Sequence, residues 1–191
     1  TLTGFVNGET LGTSGVTGTA AVTTTATLTS PATTYVITPA LGDLAAANYA
    51  FATFTDGVLT VGQKALTVTA DAKTKVYGAA NPALTATITG FANGETLATS
   101  GVTGAASVTT TATALTGVGS ATLTAAVGNL VSANYAFTFT DGALTITKAP
   151  LTVTANPVGR VYGAANPTFT ATLTGFVNSE TLSTSGVTGG A

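Results

Sequence analysis

The sequence predicts an all-β protein made of tandem small β-sheet modules, sandwich-like or grasp-like and arranged as beads on a string. Three observations carry that expectation: a strand-forming alphabet, two-residue alternation of apolar and polar side chains, and a block of sequence that returns about every 85 residues. The alphabet comes first. Of 191 residues, 46 are Thr and 23 are Gly, with abundant Val and Ala and few good helix formers besides Ala. Only 6% are charged while 45% are hydrophobic, so the chain has the apolar content to bury a core and lacks the high charge of a disordered one.

Alternation locates the strands. Leu66-Thr67-Val68-Thr69-Ala70 sets Leu66, Val68 and Ala70 on one face and two threonines on the other, as a half-buried strand requires. Residues 83–89, 120–127, 135–140 and 143–147 read the same way. Asp141-Gly142 falls between the last two, where a two-residue hairpin turn would need positive φ; Asp56-Gly57 is its counterpart.

The period fixes the organisation. Gly4-Phe5-Val6-Asn7-Gly8-Glu9 returns from Gly90 and again from Gly175, offsets of 86 (90 minus 4) and 85 (175 minus 90). Asn48-Tyr49 returns as Asn134-Tyr135, and Val76-Tyr77-Gly78-Ala79-Ala80-Asn81-Pro82 as Val161-Tyr162-Gly163-Ala164-Ala165-Asn166-Pro167. A unit of that length can hold its own core, unlike the shorter units of solenoids. On this phase residues 65–149 form one complete module. Residues 1–64 lack the opening strands, and residues 150–191 hold the opening part of a third module. The chain begins mid-pattern, without Met, and is expected to be a piece of something longer.

Junctions and core complete the expectation. Thr147-Lys148-Ala149-Pro150-Leu151 joins two modules with no Gly-Ser spacer, and Pro150 favours a short, stiff connection. Gln63-Lys64-Ala65-Leu66 lacks that proline. Gly78, Pro82, Gly163 and Pro167 mark turns, while Tyr77, Phe91, Tyr135, Phe137, Phe139, Leu144 and Ile146 are the expected core.

Several function classes are excluded or disfavoured. With no His and no Cys, the common catalytic triads and thiol sites cannot be built, and no enzymatic activity is expected. No catalytic, cofactor-binding or metal-ligating residue is assigned: Asn93, Glu95 and Asp71 fall short of the six to eight oxygens that calcium takes. A net charge of -2 offers no basic stripe for nucleic acid, and no apolar run is long enough to span a membrane as a helix.

The ordered set Tyr77-Gly78, Asn81-Pro82, Gly90 to Glu95, Asn134-Tyr135, Asp141-Gly142 and Thr147 to Leu151 resembles the MBG domain, a mostly β, glycine-rich module of the YGX type. The resemblance covers all three units. It implies a large bacterial secreted or surface protein, often an adhesin, and hence an extracellular location, with neighbouring repeats of the same chain as the first partners. Three roles follow as expectations: a passive stalk spacer; a filament subunit in which copies join head to tail by strand complementation; and adhesion to a glycan or host protein through loops. The adhesive ligand is not specified by the sequence.

Overall fold

The computed structural model describes residues 1–189. Among them there is no helix, and twelve strands carry the fold: β1 (Ala21–Thr24), β2 (Thr34–Ala40), β3 (Gly57–Thr60), β4 (Lys64–Ala70), β5 (Lys73–Val76), β6 (Ala86–Thr89), β7 (Ser107–Thr109), β8 (Gly119–Ala126), β9 (Tyr135–Thr140), β10 (Gly142–Thr147), β11 (Thr152–Ala155) and β12 (Ala171–Thr174). The chain is all-β, in several small sheets, as its threonine-rich alternation predicts. Of the expected strands, the one at 83–89 is shorter, beginning at Ala86.

Two compact units divide the chain. One comprises Thr1–Ala65, Phe91–Val102 and Ser132–Ala136; the other comprises Leu66–Gly90, Thr103–Val131 and the chain from Phe137 onward. The first unit holds the antiparallel sheet β1-β2-β3, with Ala21 opposite Ala40 and Thr34 opposite Thr60. Its sheet is lightly covered: Val22 and Val58 are exposed.

The second unit holds the main core. One sheet runs β5-β10-β8-β7, with β10 antiparallel to β8 and parallel to β5, Leu144 lying opposite Lys73. A second sheet runs β6-β4-β9, with Val68 opposite Ile88. Both sheets contribute to one cluster of Ala70, Ala112, Leu123, Ala125, Leu144 and Ile146, with Tyr77 and Leu84 packed against it. Leu66 and Val68 are fully buried beside Ala70, so the predicted apolar face of β4 is the observed one. A β11-β12 pair completes the unit.

Two expectations are corrected here. Asp141-Gly142 is not a hairpin turn: β9 and β10 belong to different sheets, and Gly142 does not take a positive φ. The chain crosses between sheets at this point. Asp141 Oδ1 accepts a hydrogen bond from Ala125 N at 2.9 Å, and Gly142 passes so close to Ala70 that a Cβ would stand 2.3 Å from its carbonyl oxygen. Asp56-Gly57 likewise makes no hairpin, since Gly57 opens β3 after a segment with no strand, and its φ is ordinary. The second correction is Phe139, which is 40% exposed instead of core. It sits near the end of β9, at the edge of its sheet, where neighbours cover it from one side only.

Candidate functional site

The most repeated arrangement of polar and aromatic side chains is built on the Gly-Phe-x-Asn-x-Glu loop. Asn7 and Gly8 take φ of 55° and 71°, and Asn93 and Gly94 take 52° and 72°. Successive left-handed residues closed by Glu9 N donating to Val6 O, and Glu95 N to Ala92 O, make a type I′ turn. This is where positive φ is concentrated, in a loop whose flanks do not alternate. In the third repeat Ser179 stands in the glycine's place at φ 62°.

That residue gives a direct prediction. Left-handed backbone costs a non-glycine residue about 1–2 kcal/mol, part of which glycine loses again in unfolded-chain entropy. Ser179→Gly is expected to stabilise the chain by about 0.5–1 kcal/mol. Gly94→Ser should destabilise by a similar amount, because a Cβ there meets nothing within 4 Å and only the backbone is strained. Denaturant midpoints of the two variants check both signs.

The turn aims its glutamate at a tyrosine from the later Asn-Tyr segment. Tyr135 is buried, its ring edge-on to Phe91 with centroids 5.7 Å apart at 79°. Its hydroxyl accepts from Ala92 N at 3.0 Å and donates to the Glu95 carboxylate. Phe5, Tyr49 and Glu9 repeat the arrangement, with centroids 5.6 Å apart, Val6 N donating to Tyr49 Oη at 3.2 Å, and Tyr49 donating to Glu9. Donation to the neighbouring glutamate holds the neutral phenol in place and pushes both tyrosines above their ordinary value near 10.

Because the folded chain keeps these protons at pH values where the unfolded chain loses them, this stabilisation is complete below about pH 10 and is lost as pH rises through the raised values. The urea midpoint is expected to fall above pH 10, and the fall should be shallower in the Tyr49→Phe, Tyr135→Phe double variant.

A second constellation surrounds Lys75, which is buried although charged. Its Nζ donates to Thr113 O at 2.6 Å and Ala79 O at 3.2 Å, and Asn81 Nδ2 donates to Ala112 O at 2.7 Å. Arg160, its counterpart in the third repeat, donates to Ala164 O at 2.9 Å. Carboxylates are committed as well. Asp71 accepts from Thr85 and Thr87 hydroxyls at 2.5 and 2.7 Å, which hold its carboxyl below the usual range, and Asp43 is lowered by Thr19 N at 2.7 Å. Among the described residues no three acidic, His or Cys side chains gather in a metal-binding group.

The remaining marked residues have structural settings. Leu144 and Ile146 are core, Tyr77 and Phe91 are half-buried, and so is Phe137. Gly78 and Gly163 take φ of 86° and 84°, whereas Pro82, Pro150 and Pro167 lie outside strands. The Phe-Tyr-Glu cluster was missed as a unit: its tyrosine lies 40 residues beyond its glutamate, and only the recurrence of all three with constant spacing signals it. Chemically the cluster spends its hydrogen bonds on itself, and it fixes a loop.

No curated protein and no solved structure matches the chain. A family model does: the MBG domain of the YGX type matches residues 1–60, 66–145 and 151–191. Only residues 61–65 and 146–150, five at each junction, fall between the three matches. The chain therefore belongs to the MBG domain family of the YGX type, as tandem repeats.

Proposed function

We propose that this chain is a length of the stalk or fibre of a large secreted or surface-anchored bacterial adhesin, in which the repeats act as a spacer. The observation that carries this reading is the tandem succession of family matches with five residues at each junction, too few for a flexible tether. The side-chain chemistry supports it. Carboxylates are bound to hydroxyls and backbone amides, and the buried lysine is bound to carbonyls, so the ionisable groups serve the fold. Family membership favours a structural and not a catalytic role. In solution scattering from arrays of the middle repeat, the longest dimension is expected to increase by a constant step with each added copy. An array whose size barely changes with copy number would remove the spacer reading.

A further inference from the structure

Two partial views of one joint are present, each inside a single unit. In the second unit the third repeat's loop lies on the middle repeat. Tyr77 Oη donates to Glu180 Oε1 at 2.7 Å, Asn178 Nδ2 donates to Ala114 O at 3.2 Å, and the Val177 side chain occupies the space that a Cβ on Gly78 would need, 2.6 Å away. In the first unit the segment before Tyr135 lies on the first repeat. Asn134 Oδ1 accepts from Ala32 N at 3.0 Å, and beside it, where the junction enters β4, Lys64 N donates to Asn134 O at 3.0 Å and Gln63 Nε2 to Ala133 O at 3.0 Å. In both views a later repeat grips an earlier one.

The two grips use different parts of the repeat, and the middle repeat shows how those parts are tied. Asn134 adjoins Tyr135, whose ring rests on Phe91 and whose hydroxyl holds Glu95, the counterpart of Glu180. A carboxylate has two oxygens and room for more than one donor. We infer that each repeat clamps the repeat before it with two loops locked together by the tyrosine–glutamate hydrogen bond. The glutamate serves two tyrosines at once, one from its own Asn-Tyr segment and one from the preceding repeat's Tyr-Gly turn. The partner this surface fits is thus another repeat of the same kind, presented in head-to-tail order. This inference rests on the tandem-array reading for its role, while its contacts can be tested apart from it.

The test is amide hydrogen exchange on the whole chain. Tyr77→Phe is expected to speed exchange about tenfold in residues 175–187 and to leave 91–102 unchanged, the size expected for one lost hydrogen bond of the stronger kind. Asn134→Ala should speed exchange about tenfold at the Ala32 amide, which its side chain accepts from. Tyr135→Phe should do the same at that amide, although Tyr135 itself makes no hydrogen bond to the first repeat; Glu95→Gln is the second variant for that arm should the first unfold. Unchanged exchange in 175–187 for Tyr77→Phe, or continued protection of Ala32 in both the Tyr135 and Glu95 variants, overturns the clamp. If the exchange pattern is found while arrays fail to lengthen stepwise, the clamp stands and the spacer reading falls.

Discussion

Replacing Gly142 with alanine is expected to unfold the middle repeat about 3 kcal/mol more easily than the parent. The added Cβ would stand 2.3 Å from Ala70 O, 3.0 Å from Ala70 C and 3.2 Å from Ala70 Cβ. None of these atoms is the tip of a flexible side chain, so relief requires β10 or β4 to move, and both feed the same core cluster through Leu144 and Ala70. Gly57 is the internal control. At that counterpart position a Cβ would meet Ile37 Cβ at 3.5 Å, an ordinary contact, and Gly57→Ala should change stability by less than about 0.5 kcal/mol. Guanidinium unfolding followed by circular dichroism separates the two variants; equal shifts would mean that the close approach of β10 to β4 is wrong.

Truncating Leu144 to alanine is the second large effect. Leu144 is fully buried and belongs to the cluster that both sheets share, so its removal takes away transfer free energy and leaves a cavity, together about 2–5 kcal/mol. Its counterpart Leu59 is only half-buried at the edge of a lightly covered sheet, and Leu59→Ala should cost about 1 kcal/mol. The ratio between the variants, read from the same denaturant curves, tests whether Leu144 and Leu59 pack in cores of different quality.

These cases show what a one-dimensional reading can hold. Alternation is a local signal, and it placed β4, β8, β9 and β10 and the buried face of Leu66, Val68 and Ala70, because a strand's period needs no partner to be recognised. Partner choice is not local. Asp141-Gly142 carries the composition of a hairpin turn, yet nothing nearby in sequence encodes that β10 joins β8 and β5 while β9 joins β4. The glycine is required by the approach of Ala70, 72 residues upstream (142 minus 70). Phe139 follows Tyr135 and Phe137 in register, but its coverage depends on where the edge of the sheet falls. The buried Lys75 has no sequence signal at all, since its partners are backbone carbonyls, which every residue possesses. In the candidate site, the glutamate and tyrosine were each visible as repeated letters, and their pairing came from the chain's return forty residues later.

The parallel pairing of β5 with β10 has a mechanical consequence. β5 lies near the start of the middle repeat and β10 at its end, and they run side by side in the same direction, Leu144 opposite Lys73 through Thr147 opposite Val76. Tension on the two ends drags these neighbours lengthwise past one another, so the ladder between them is loaded in shear and its bonds share the force, where an antiparallel hairpin pulled from its open end would unzip one bond at a time.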